Sequence, residues 1–243
     1  MNRYWKIYSK YLGVSPLHPQ FLMRRLTHQG ITEAVKRSHG ILLDIGTGDM
    51  PYRKKIEPLV KKYVTLDHPK TSKLYSPAQK PEILADIQDM PSVKSNFFDV
   101  CLLFQVLEYL DYPKAAIKEI HRVLKKNGLL IITSPFFYPI HDYPYDRQRL
   151  TEPALKDHLK SCGFRIIKFE AQGSFVAFWI LSLNVFLMRK VKDSHFYPLL
   201  IILIPFTTIT NFLALVIESL SPKNKPTHNL FPLNYLVVAI KRS

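Results

Sequence analysis

The sequence predicts an α/β fold: a doubly wound, seven-stranded, mostly parallel sheet with an apolar helical insertion before its last strand. Three observations lead there. From Ile41 onward, short apolar runs alternate with amphipathic helical stretches. The runs are apolar at successive positions, as in strands buried on both faces of a parallel sheet. A glycine turn, Gly46-Thr47-Gly48, follows the first run, and a strand-like run at Tyr235–Ile240 is set apart from the others by a long apolar segment.

At 243 residues the chain supports one substantial core rather than two. Residues 1–38 read as N-terminal helices, 39–172 with 230–243 as the sheet domain, and 173–222 as the insertion. Within the first part, Tyr4, Trp5, Ile7, Tyr8, Tyr11 and Leu12 fall at helical spacing opposite Arg3, Lys6 and Lys10. This basic amphipathic helix either lies on a membrane interface or packs on the main domain over its ligand site. A second helix runs from His18 to about Lys36.

The strands are expected at Ile41–Asp44, Tyr63–Asp67, Ile83–Asp86, Phe98–Phe104, Leu129–Thr133, Phe164–Phe169 and Tyr235–Ile240. Between Pro113 and Leu124, Ala116, Ile117, Ile120, Val123 and Leu124 form one apolar face, with Lys114, Lys118, Glu119 and Arg122 opposite. Asn127-Gly128 supplies a turn before the fifth strand, and a helix from Glu152 to Lys160 ends near Gly163.

Lys+Arg number 34 against 19 Asp+Glu, a net charge of +15 that draws the protein to anionic surfaces. Zinc-finger spacing, an aromatic RNA-binding motif and a continuous basic tail are all lacking, so nucleic acid is not an expected partner. An anionic membrane surface is. Cys101 and Cys162, far apart and in apolar surroundings, read as reduced structural thiols, and no metal site is expected. The N-terminus lacks the order of a secretory signal, which implies a cytosolic catalytic domain.

Sheets of this type bind ligands at the carboxyl ends of their strands, where the strand order reverses. Gly46 and Gly48 let the backbone approach a ligand closely. Asp67 ends the second strand, where its carboxylate can accept from two ribose hydroxyls. Asp86 can accept from an adenine amino group while the Ile87 N–H reads a ring nitrogen. Each residue alone has a plainer explanation: Asp44 as a helix cap, Asp67 or Asp86 as a solvated carboxylate. A dinucleotide fingerprint would need a third glycine three residues after Gly48, where Pro51 stands.

Asp44-Ile-Gly-Thr-Gly, Asp67, Ala85-Asp86-Ile87 and the run from Phe98 through Gln105 to Glu108 resemble the successive motifs of class I S-adenosylmethionine-dependent methyltransferases. Glu119–Ile132 resembles the helix, turn and fifth strand of that family. The resemblance covers about Ile41 to Phe169, with Tyr235–Ile240 fitting an antiparallel last strand. It implies a Rossmann-like methyltransferase fold and S-adenosyl-L-methionine as cofactor, held by Asp44, Gly46, Thr47, Gly48, Asp67, His68, Asp86, Ile87 and Gln105. Pro51-Tyr52 and the Ser134–Thr151 loop are similar to a type 11-like subgroup associated with bacterial surface-polysaccharide clusters. Tyr109 departs from that family, where a His often follows the Glu, and Asn127 replaces the first glycine of a pair.

The Ser134–Thr151 loop leaves the same sheet edge and overhangs the expected site of methyl transfer. His141, Asp142, Asp146 and Arg149 can bind or deprotonate an acceptor. An unperturbed imidazole titrates near 6.5, which makes His141 the candidate base, with Asp146 and Arg149 as catalytic neighbours. The alternative is that His141 ties down a proline-rich loop ordered by an Asp146–Arg149 ion pair. Gln105 and Glu108, at the end of the fourth strand, are expected to form the other wall, with Glu108 either orienting a helix or touching substrate.

In the insertion, Gly173–Met188 and Phe196–Ile217 are apolar and Arg189–His195 is basic. An antiparallel last strand requires two membrane crossings or none, and two would carry Arg189, Lys190 and Lys192 across, against the positive-inside tendency. A hairpin embedded in one leaflet is the preferred arrangement, with an oligomer interface or extra core as the alternative. The expected protein sits on the cytoplasmic face of a bacterial inner membrane, peripheral or monotopic. It methylates a small-molecule or lipid-linked glycan acceptor at a hydroxyl. A quinone or phospholipid acceptor, or a catalytically silent adaptor in glycan assembly, are the alternatives.

Overall fold

The computed structural model describes residues 14–70, 80–220 and 230–242. The amphipathic stretch Asn2–Leu12 lies outside them. Strands β1 (Ile41–Ile45), β2 (Lys62–Asp67), β3 (Ile83–Leu84), β4 (Phe98–Phe104), β5 (Leu124–Pro135), β6 (Phe164–Gln172) and β7 (Asn234–Lys241) form one seven-stranded sheet in the order β3-β2-β1-β4-β5-β7-β6. The pairings β2–β3, β1–β2, β1–β4 and β4–β5 are all parallel. Arg242 N–H donates to the Gly163 carbonyl at one end of β7, and Leu233 N–H to the Gln172 carbonyl at the other. The last strand therefore runs antiparallel to β6. The chain winds outward from β1 to β3, then crosses back to β4, so the order reverses between β1 and β4.

Helices are α1 (Phe21–Arg37), the short α2 (Arg53–Ile56), α3 (Pro113–Val123), α4 (Glu152–Ser161), α5 (Phe175–Ser194) and α6 (Leu200–Leu220). The α3 stripe is as the periodicity predicts, with Ala116, Ile117, Ile120 and Val123 buried. Thr151 caps α4 by accepting from Ala154 N–H at 3.4 Å. Beneath the sheet, Leu42, Val100, Leu102, Phe104 and Ile131 pack with Ile31 and Ala34 of α1 and with Leu236 and Val238 of β7.

Three of the boundaries that differ from the sequence expectations do so for a local reason. The first helix starts at Phe21 rather than His18, because the His18 ring nitrogen accepts from Gln20 N–H at 3.0 Å and holds residues 18–20 in a turn. The third strand stops at Leu84 because Asp86 turns the chain, accepting from Gln88 N–H at 2.9 Å. The fifth begins at Leu124, with Asn127 (φ +62°) taken up as a bulge where the register slips between Phe98 and Val100. Arg189, Lys190 and Lys192 form the last turns of α5. Basic side chains are good helix formers and favour a helix C-terminus. The bend falls at His195, in the left-handed region at φ +56°.

The chain divides into two compact units. One holds residues 30–136, 140–170 and 235–242, the sheet unit. The other holds 14–29, 137–139, 171–220 and 230–234, so the beginning of α1 is grouped with the α5–α6 hairpin. In that hairpin unit Phe21, Leu22 and Leu26 pack with Ala177, Leu181, Val185 and Ala214. A polar seam runs along its inside: Asn184 donates to Asn211 at 3.2 Å, Thr210 donates to Asn184 at 3.0 Å, and Asn211 donates to the Pro16 carbonyl at 2.8 Å.

Candidate active site

Register places the candidate residues on one edge of the sheet unit. Ile45 pairs with Leu66 and Leu103, Asp67 with Leu84, and Phe104 with Thr133. The segments that follow β1 to β5 therefore all emerge at the carboxyl edge, with Gly46 and Gln105 flanking the point where the order reverses.

The glycine turn is built by backbone conformation and close approach. Gly46 has φ +71° and Gly48 φ +51°. A Cβ on Gly46 would lie 2.4 Å from Val106 Cγ2, so the turn touches the segment that follows β4. Gly46 N–H donates to the Leu66 carbonyl at 2.8 Å, and Gly48 N–H to Asp67 Oδ2 at 3.0 Å. Asp67 Oδ1 takes His68 N–H at 2.7 Å. Thr47 is 4% exposed, and its hydroxyl has no hydrogen-bond partner among the described residues. An orphaned hydroxyl beside two glycines fits a turn built for a ligand's polar groups.

Asp44 is buried and accepts from the Tyr63 hydroxyl. Burial pushes its carboxyl up to about 7, with the Asp67 carboxylate adding to the rise and the Tyr63 hydrogen bond opposing it. Tyr63 is a partner that sequence reasoning missed, since only the pairing of β1 with β2 brings the two together. His68 Nδ1 accepts from Lys70 N–H at 3.1 Å, and the Ile87 side chain is buried. Gln105 sits at φ +55°, its N–H bonded to the Thr133 carbonyl at 2.9 Å and its amide to Thr133 Oγ1 at 3.2 Å. A non-glycine residue in that region stores strain, and such residues cluster at functional sites.

Beyond Gln105, Leu107–Tyr109 make one 3-10 turn facing the Ser134–Thr151 loop. The Glu108 carbonyl accepts from Arg147 N–H at 2.9 Å and from Gln148 N–H at 3.3 Å, which fastens the loop to this turn. Tyr109 Oη lies 2.9 Å from His141 Nε2 and 3.0 Å from Asp142 Oδ2. His141 Nδ1 is 3.1 Å from Asp146 Oδ2, which also accepts His141 N–H at 2.9 Å. Arg149 grips both Asp146 oxygens, one of them at 2.8 Å. Burial works against the Asp146 charge, but the Arg149 hydrogen bonds and the His141 N–H outweigh it and hold the carboxyl below its ordinary value.

Glu108 is 1% exposed, and neither of its carboxyl oxygens has a hydrogen-bond partner among the described residues. Burial pushes it up to about 8, opposed by its own backbone N–H and by Arg149. The structure thus joins His141, Asp142, Asp146 and Arg149 into one hydrogen-bonded group and adds Tyr109, which the sequence marked only as a departure from its family. Among the described residues no cluster of His, Cys, Asp or Glu could hold a metal ion.

A mostly parallel sheet with this order, a glycine turn after β1, and the carboxylates of Asp44 in β1, Asp67 at the end of β2 and Asp86 after β3 make up a Rossmann-like methyltransferase fold. Residues 43–132, from β1 into β5, match the family model described as a methyltransferase domain. The cyclase SpnF superposes with a TM-score of 0.58 at 18% identity, over 90% of this chain and 81% of its own. An S-adenosylmethionine-dependent methyltransferase from Mesorhizobium loti gives 0.53 at 14% identity, over 92% and 98%. Another from Archaeoglobus fulgidus gives 0.54 at 17% identity, over 99% and 100%. At such identities these structures share the fold. No curated protein matches the sequence.

Proposed function

We propose that the protein transfers a methyl group to a hydroxyl of a membrane-proximal acceptor, a lipid-linked glycan precursor, at the cytoplasmic face of a bacterial inner membrane. The observation that carries the membrane part is the outer surface of the α5–α6 hairpin. Trp179 (58% exposed), Phe186, Ile201 (78%), Ile209, Phe212 and Val216 all face outward. Residues Tyr197–Leu220 have a mean hydropathy of 2.3 and are long enough to cross a bilayer, with 17% buried. Surface of this kind marks a binding face, and the polar groups of the hairpin are turned to its inner seam. Arg189, Lys190 and Lys192 close α5 beside it, matching anionic phosphate groups. A hairpin lying in one leaflet satisfies both features.

In the sheet unit, Asp67 would receive the ribose hydroxyls, Asp86 and the Ile87 N–H the adenine, and Gly46, Thr47 and Gly48 the remainder of the cofactor, with His68 and Gln105 at its flanks. Asp44 supports the turn through Tyr63. Bound there, S-adenosylmethionine supplies an electrophilic methyl group on a sulfonium. The chain's share is positioning, which can supply much of the acceleration of an in-line displacement, and removal of the acceptor's proton by the His141 group. The glycan assignment rests on the resemblance of the Pro51-Tyr52 and Ser134–Thr151 motifs to the polysaccharide-associated subgroup.

The test is calorimetric titration of detergent-purified protein with S-adenosylhomocysteine, followed by incubation with methyl-labelled S-adenosylmethionine and bacterial membrane extract. Label in the lipid-linked glycan fraction supports the proposal. Label in quinone or phospholipid redirects the acceptor. A well-folded protein that does not bind S-adenosylhomocysteine is a silent adaptor, and the proposal falls.

A further inference from the structure

The base suggested by the sequence, His141, does not present a bare ring nitrogen. Its Nε2 faces the Tyr109 hydroxyl at 2.9 Å and its Nδ1 faces Asp146 at 3.1 Å. Asp146 has a side chain 1% exposed and is clasped by Arg149, so this end of the group is fixed and dry. At the other end Tyr109 is only partly buried, and its hydroxyl also reaches the exposed Asp142. Tyr109 ends the 3-10 turn that begins one residue after Val106, whose side chain packs on Gly46. The phenol is thus carried on the segment that follows β4, three residues beyond the one that meets the glycine turn, with the imidazole on its other side.

We propose that Tyr109 is the group that touches the acceptor's hydroxyl, taking its proton while passing its own to His141 Nε2. This deepens the methyl-transfer reading above and rests on it. As the acceptor oxygen bonds the methyl carbon, the electron pair of the breaking carbon–sulfur bond stays on sulfur. The acceptor's proton moves to the Tyr109 oxygen, and Tyr109's proton moves to Nε2. The imidazolium so formed is stabilised by the Asp146 carboxylate 3.1 Å from Nδ1, whose charge Arg149 keeps in place. Its new Nε2–H then donates to the Tyr109 oxygen, and the Tyr109 hydrogen turns to Asp142. His141, Asp146 and Arg149 are positioning residues behind the phenol.

The relay requires the neutral His141 ring to carry its hydrogen on Nδ1. Long-range proton–nitrogen NMR of histidine-labelled wild-type protein, at a pH where the ring is neutral, reads this directly, with His141→Gln to assign the signals. The expected result is the Nδ1–H form. In Tyr109→Phe the Nε2 resonance should move toward that of an unbonded ring nitrogen, while affinity for S-adenosylhomocysteine stays within twofold. An Nε2–H ring in the wild type, or an Nε2 signal unmoved in Tyr109→Phe, overturns the relay while leaving methyl transfer standing. Wild-type protein without affinity for S-adenosylhomocysteine overturns both. The wild-type tautomer decides even where the variant fails to fold.

Discussion

Gly48 N–H donates to Asp67 Oδ2 at 3.0 Å, so the turn after β1 and the carboxylate ending β2 are one unit rather than two neighbours. Replacing Asp67 releases the turn and, on the proposed function, also removes an acceptor for the cofactor. Asp67→Ala is predicted to bind S-adenosylhomocysteine about 10- to 100-fold more weakly, the loss of roughly 1.5–3 kcal/mol that accompanies a hydrogen bond to a charged group. Asp67→Asn, which keeps an acceptor oxygen, should lose less. Titration calorimetry of the two variants beside wild type checks the order.

Gly46 is confined twice, by φ +71° and by Val106 at 2.4 Å from its missing Cβ. Gly46→Ala should cost about 1–3 kcal/mol from backbone strain, plus the displacement of Val106. Adding Val106→Ala relieves the second cost and not the first. Thermal melting should place the double variant above Gly46→Ala and below wild type.

Glu108 sets a pH dependence. Its carboxyl, ordinarily near 4.3, is pushed up to about 8 by burial, so the folded state holds a proton that the unfolded chain has released. The stability from that proton is complete below pH ~4.3 and is lost as pH rises through about 8. Glu108→Gln is neutral throughout, so its stability relative to wild type should climb between pH 5 and 8. Urea midpoints measured across that range would show the difference, and a constant offset would contradict it. Asp44→Asn should show the same trend ending near pH 7, since burial pushes Asp44 up to about 7.

Arg189, Lys190 and Lys192 fall within one helical turn at the end of α5. At about 1 kcal/mol per basic residue near an anionic surface, reversing all three to Glu should weaken binding to phosphatidylglycerol vesicles by at least 100-fold at low salt. Deleting residues 173–220 with a short linker should release the protein from vesicles altogether. A deletion variant that folds and still sediments with vesicles would transfer the anchoring role to the N-terminal residues.

The sheet was legible because burial on both faces leaves its mark on consecutive residues: the apolar runs that became β1, β4 and β7 needed no tertiary information. The glycine turn and the place of Asp67 were legible for a related reason, since both fall at the carboxyl ends of apolar runs that read as strands. The hydrogen-bonded group around His141 was less so. His141, Asp146 and Arg149 could be named as candidates, but five residues of loop allow many pairings, and which nitrogen meets which oxygen depends on how the loop folds back.

The sequence by itself determined the α/β class, the glycine turn after the first strand and the apolar character of the insertion, because each follows from local periodicity or from spacing along one strand and its turn. Only the tertiary structure decided that Tyr63 holds Asp44, that Glu108 is sealed from water, and that Tyr109 stands at the end of the His141–Asp146–Arg149 chain. The Tyr63–Asp44 and Tyr109–His141 contacts join residues 19 and 32 positions apart, and parallel strand register and loop closure bring them together; no pattern along the chain encodes either distance.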